Sequence, residues 1–237
     1  MEVMKFVNVG FGWQDMLANS LKRGRNKQAS EDMSEIAQRA YYEGVKVLKM
    51  RSVLEIYKKE RDFEDCIVIS HPEGGEERLY VGPRAGYLIP AQEVAVLLCS
   101  VGMPLVALMQ EYAKAENYLM MYYLDVLGVQ ALAEISGKMR AHVESLAAEK
   151  GWGVSPSMQP GSVDGWSVEG QRDLYRLGNG GKIGLSLNDS SFLIPHISNS
   201  SLIGIGPHYS ENNVGSLCHE CPRYRSCLWR RENIEKN

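Results

Sequence analysis

From Val94 to Val101 the chain is a near-continuous apolar run closed by Gly102. It is too short for most helices, and its composition predicts a strand at the centre of a sheet. Pro104 follows at a spacing that suits the first turn of a helix, where its missing N–H costs nothing. Upstream, Cys66 to Ser70 is rich in β-branched residues, His71-Pro72-Glu73-Gly74-Gly75 is turn chemistry, and Leu79-Tyr80-Val81 is a second short run. Together they predict a hairpin with a long loop. Before that, Ser30 is placed as an N-cap, with Glu31 and Asp32 in the first turn. Ile36, Ala37, Ala40, Tyr41, Val45 and Leu48 then mark one helical face to about Met50. Residues 1–29 are poorly patterned, with Phe6, Phe11 and Trp13 expected to dock on the core.

Downstream, Leu124, Leu127, Ala131, Ile135, Met139 and Leu146 recur mostly at helical steps, so residues 117–150 read as one long helix or a broken pair. Unbroken, it would reach about 50 Å. Gly128 and Gly137 are places for a kink or for close packing, and Gly151 is a natural stop. His142 beside the apolar stripe reads as structural. Beyond it the pattern changes: a Gly/Ser-rich internal loop to Gly165, a short helix ending at Leu177, and apolar runs at Ile183–Leu187 and Phe192–Pro195. A serine cluster, Ser198, Ser200 and Ser201, leads into Leu202-Ile203-Gly204-Ile205-Gly206. Pro195 fits only a strand edge or bulge.

Strands cluster before and after the helices, which predicts an α+β fold rather than repeated βαβ units. With 44% hydrophobic and 23% charged residues, the chain carries enough apolar surface for a full core without staples. No linker or internal repeat is visible, so residues 1–237 are expected to form a single domain. The net charge of −3 argues against a nucleic-acid binder, and Lys22-Arg23-Gly24-Arg25-Asn26-Lys27 reads as a solvated basic loop. No signal peptide is evident at Met1-Glu2-Val3-Met4-Lys5, and the uncharged Val94–Met109 segment is too short for a bilayer span. Five cysteines do not suggest a disulfide framework, so a reducing cytoplasm is the expected compartment.

Candidate chemistry lies in two places. Cys218-His219-Glu220-Cys221 with Cys227 beyond offers three thiols and an imidazole to zinc or to an iron–sulfur cluster; the alternative is a set of surface thiols on a tail. Asp189 can hydrogen-bond a ligand, or Asn188-Asp189-Ser190-Ser191 is ordinary turn chemistry. No phosphate loop, nucleophile elbow or His-Glu-x-x-His zinc motif is present. Gly178-Asn179-Gly180-Gly181 precedes a strand rather than a helix and is no dinucleotide fingerprint.

Over roughly Leu88 to Arg230 the chain resembles a known family. The motifs, in order, are Val94–Gly102, the long helix from Tyr118, Ser155-Pro156, and Trp166-Ser167-Val168-Glu169-Gly170-Gln171 leading to Leu174. Ile183-Gly184-Leu185-Ser186-Leu187, Pro195, Ser198, Ile203-Gly204 and the Cys-rich tail follow. The family is the activation (S-adenosylmethionine-binding) domain of cobalamin-dependent methionine synthase, in its stand-alone form. The resemblance implies a twisted, mainly antiparallel sheet with long central helices, its core at residues 88–215 and a tail at 216–237.

It also implies a function. Such a domain docks over a corrin carried by a partner, methionine synthase or another corrinoid protein, and presents S-adenosylmethionine. With one electron from flavodoxin or ferredoxin, inactive cob(II)alamin is returned to methylcobalamin. The protein's part is orientation of the methyl donor. Ligand contacts are assigned to Ser155, Pro156, Ser157 and Met158, faced by Asp189, Ser190 and Ser198. The family's Arg-x-x-x-Gly-Tyr pattern falls on Gly153–Met158, with Gly153 at the arginine and Met158 near the tyrosine. The bidentate carboxylate clamp of that arginine is therefore absent here. Two other functions stay open: a docking module for a corrinoid protein in one-carbon metabolism that has lost the ligand, and a zinc or iron–sulfur protein in electron delivery. Neither nucleic acid nor membrane is expected as a partner.

Overall fold

The computed structural model describes residues 1–23, 28–162, 164–221 and 224–225. Its strands are β1 (Glu2–Phe6), β2 (Met50–Asp62), β3 (Cys66–Ser70), β4 (Glu76–Tyr80), β5 (Glu93–Ser100), β6 (Gly153–Val154), β7 (Ser186–Leu187), β8 (Leu193–Ile194) and β9 (Ser198–Gly206). Its helices are α1 (Trp13–Arg23), α2 (Glu31–Val47), α3 (Met103–Lys114), α4 (Tyr118–Glu149) and α5 (Gln171–Leu177). The main sheet has the order β4-β3-β2-β5-β9-β6, and every pairing in it is antiparallel. β1 joins the same edge of β2 that β3 uses, one at Met50–Leu54 and the other at Lys58–Asp62. The chain is an α+β fold built on a curled antiparallel sheet.

β5 is central because both of its faces are covered. Ala95, Leu97 and Cys99 meet the helices, while Val94 and Val96 point into a second cluster with Ile67, Leu79, Trp166 and Leu174. Leu98 joins a third with Val53, Ile183 and Leu193. Side chains alternate along a strand, so a strand buried on both sides reads as unbroken apolar sequence. The run at Val94 is the product of that burial.

α4 is one continuous helix, capped where Asn117 Oδ1 accepts from Met120 N at 3.2 Å. At 1.5 Å per residue it is about 48 Å long, and it packs on α2, α3 and the sheet. Gly128 allows that packing: a Cβ there would lie 2.7 Å from both Ile197 Cδ1 and Leu105 Cδ2. Gly137 meets only Arg140 Nη2, at 3.7 Å. Ser30 caps α2 by accepting from Met33 N, Pro104 occupies the first turn of α3, and β3 and β4 form the expected hairpin.

Three expectations need correction. The α2 helix ends at Val47, and Met50 opens the longest strand of the sheet. Residues 1–23 carry β1 and α1, with Phe6, Phe11 and Trp13 against the main core as expected. His142 does have an acidic neighbour, Glu2 Oε2 at 2.9 Å. The basic stretch 24–27 lies outside the described residues. No described helix is long and apolar enough to cross a membrane.

Candidate functional site

The segment after α4 is held tightly. Gly153 and Val154 pair with Gly206 and Ile205. Ser155 N then donates to Gly204 O at 2.9 Å, while the Ser155 hydroxyl accepts from Gly204 N at 2.8 Å. Met158 and Leu202 exchange both backbone hydrogen bonds, at 3.0 and 2.9 Å. Between these points the Ser155–Met158 side carries one residue more than β9, a bulge at Pro156-Ser157 where proline costs no ladder bond. Ser157 N turns away to Gly215 O at 3.1 Å. Ser155 and Met158 are fully buried. The four residues assigned to the ligand loop thus form a floor whose backbone donors are already used.

Gly153, which the sequence resemblance sets against an arginine, has no room for a side chain. A Cβ there would come within 2.6 Å of Glu211 O and 2.7 Å of Tyr209 O. Nearby, Tyr209 donates its hydroxyl to Tyr87 O at 2.7 Å, and burial pushes its phenol pKa up.

Beyond Met158 the chain opens into a cleft of about 440 Å³, bounded by Gln159–Ser162, the start of α5 and the approach to β9. Ser198 and Ser200 line it from β9, Gln171 from α5, and Phe192 from the β7–β8 hairpin. Ser198 donates to Ser100 Oγ at 2.9 Å. Ser200 donates to Gln171 Oε1 at 3.0 Å, and this fixes the amide. Gln171 is 8% exposed, yet its buried Nε2 has no hydrogen-bond partner. A buried donor left unpaired costs about 1–3 kcal/mol, so this atom marks a place where an acceptor belongs.

A second cleft of about 430 Å³ shares Gly161, Ser162 and Val168 with the first and is walled by Asp164 and Trp166. Trp166 is likewise buried with its Nε1 unpaired. Its indole nitrogen lies where a Cβ on Gly170 would be, at 2.3 Å, so residue 170 must be small.

Of the residues assigned ligand contacts from the sequence, Ser198 alone lines the cleft of about 440 Å³; Ser155, Pro156, Ser157 and Met158 lie on the segment that leads into it. Asp189 and Ser190 are exposed on the β7–β8 turn, outside the cleft lining. That turn is fastened by Arg172, which donates to Asp189 O at 2.7 Å and Ser191 Oγ at 2.8 Å. Gln171 and Phe192 also line the cleft and were not among the residues assigned ligand contacts. Gln171 was visible only as the last residue of the Trp166–Gln171 motif.

The tail docks on the turn Gly82–Leu88 through Glu220, which accepts from the Tyr87 hydroxyl and pairs with Arg84 Nη1 at 2.8 Å. Cys218 and Cys221 flank it, half-buried, with Cys221 N donating to Cys218 O at 3.1 Å. His219 lies 3.4 Å from Glu220 Oε1. Among the described residues no group of three or more His, Cys, Asp and Glu side chains is placed to hold a metal. Cys227 lies outside the described residues. The thiols described do not by themselves complete a zinc or iron–sulfur ligand set.

No protein-family model matches the chain, and no curated protein matches its sequence. Among solved structures, the MetH reactivation domain bound to AdoHcy is similar, with a TM-score of 0.63 and 13% identity. The likeness covers 89% of this chain and 80% of that one. The chain has the fold of the MetH reactivation domain.

Proposed function

We propose that this protein is a reactivation subunit for a cobalamin-dependent methionine synthase and that its cleft binds S-adenosylmethionine. The observation that carries the proposal is the buried, unpaired Gln171 amide on the wall of a cleft of about 440 Å³. It stands in a fold shared, over 89% of the chain, with a domain described as bound to AdoHcy. The ligand would supply a sulfonium methyl, and the cobalamin carried by the partner would receive it with one electron from flavodoxin or ferredoxin. This chain's residues would bind, orient and shield the donor. Calorimetric titration with AdoHcy and S-adenosylmethionine tests the binding half; no heat at millimolar ligand removes it. Restored turnover of a methionine synthase lacking its C-terminal domain tests the other half.

A second reading keeps the docking surface without the ligand. It is supported by Gly153, where a side chain is barred by Glu211 O and Tyr209 O, and by the closed Ser155–Met158 segment. Co-purification with a corrinoid protein, together with no affinity for AdoHcy, would select it.

A further inference from the structure

The walls of the two adjoining clefts contain an unusual selection of polar groups. Among the described lining residues there is no lysine or arginine. Ligand carboxylates and phosphates are held best by charged, often bidentate, partners. Besides the Asp164 carboxylate and the His196 imidazole, the polar side chains on these walls are neutral amides, hydroxyls and an indole. The Gln171 Nε2 is buried and unpaired, and its orientation is set by the Ser200 hydroxyl on Oε1. At the rim stands Phe192, 59% exposed, a large apolar ring with one side open. Its own backbone is pinned by Asn188, whose side chain accepts from Phe192 N at 2.8 Å, so the ring sits on a fixed turn. An uncharged donor edge beside an aromatic face is the complement of a heteroaromatic base, which stacks through its π-face and accepts through ring nitrogens.

We infer that this cleft takes the base of a nucleoside, stacked on Phe192 and accepting from Gln171 Nε2, and that the amino-acid end of any S-adenosyl ligand lies outside it. The inference rests on the ligand-binding reading above and deepens it by assigning which end of the ligand the cleft reads. Ser198 and Ser200 add a hydroxyl-lined floor suited to a polar ring edge. The missing arginine at Gly153 fits the same assignment, because the specificity of this site falls on the base rather than on the carboxylate.

The test uses the full chain and three probes: AdoHcy, adenosine and homocysteine. Adenosine is expected to bind alone and to displace AdoHcy, and homocysteine to do neither. Gln171→Glu keeps an oxygen for Ser200 but replaces the unpaired donor with an acceptor. It should weaken both AdoHcy and adenosine by about tenfold or more. Phe192→Ser changes an exposed residue, leaves the fold intact, and should weaken both ligands several-fold. AdoHcy binding without adenosine binding overturns the inference and leaves the proposed function standing. So does wild-type affinity in both variants. Adenosine binding without AdoHcy binding would sink the S-adenosyl reading and keep the base site. Silence from both nucleosides overturns the two together.

Discussion

Arg176 on α5 reaches across to Glu77 on β4, its Nη1 donating to Glu77 Oε2 at 2.9 Å and its Nη2 to the other carboxylate oxygen. His71 Nε2 meets the same Oε2 at 2.9 Å. The pair joins the outer hairpin to the helix that begins with Gln171, and so braces one wall of the cleft from behind.

That brace should be visible in pH-dependent stability. Burial works to raise the Glu77 pKa, but hydrogen bonds from Arg176 and His71 outweigh it and the pKa is lowered. A carboxylate depressed in the fold adds stability above its unfolded pKa, about 4.3. That contribution disappears as pH falls through the folded value. Because Arg176 is half exposed, the effect is modest. Glu77→Gln should cost about 1 kcal/mol at pH 7, and thermal melts should show the gap closing below about pH 4.

Gly153→Arg would place at this position the arginine that the sequence resemblance implies, in sequence only. With Glu211 O and Tyr209 O in the way, overpacking should cost about 3 kcal/mol. Urea denaturation is expected to show that loss, and AdoHcy titration no gain.

The two glycines of α4 should respond in opposite directions. Gly128→Ala forces a methyl against Ile197 and Leu105 and should destabilise by about 1–3 kcal/mol. Gly137→Ala has space and should stabilise by about 0.5–1 kcal/mol, through helix propensity and a less free unfolded chain. Paired denaturation curves decide it.

Cysteine reactivity should follow burial. Burial pushes the Cys99 thiol to about 12 and raises that of Cys66, so both should resist alkylation at pH 8 in the native protein. Cys218 and Cys221 should react, and faster in Glu220→Ala, which loses the contacts to Arg84 and Tyr87. Timed alkylation with peptide mapping reads out each site.

How much of this was legible in the sequence depended on how local each signal is. The central strand declared itself because both its faces are buried, α2 because Ser30 caps it within a turn, and α4 because Leu124, Leu127, Ala131, Ile135 and Met139 recur at helical steps on its buried face. β2 was hidden because Arg51, Ser52, Glu55 and the charged stretch Lys58–Asp62 break its apolar pattern. Part of their reason is distant: Ser52 is buried with its hydroxyl against Met139 Sδ on α4. β1 was hidden because a short, mostly exposed strand gains its order from β2 rather than from its own residues. At the site, Ser198 could be named from a motif. Gln171 could not be named as a donor, since what distinguishes it is a partner it lacks, and only the folded chain reveals that.

The outer strand β4 leaves one backbone edge of the sheet without a neighbour among the described strands. Its sequence there is Glu76-Glu77-Arg78, and Glu76 is engaged by Arg61, which reaches past β3 from β2. Charges of both signs on a five-residue border strand oppose the addition of another molecule's strand. Self-assembly into extended ribbons is thereby discouraged at the place where an antiparallel sheet is most open to it.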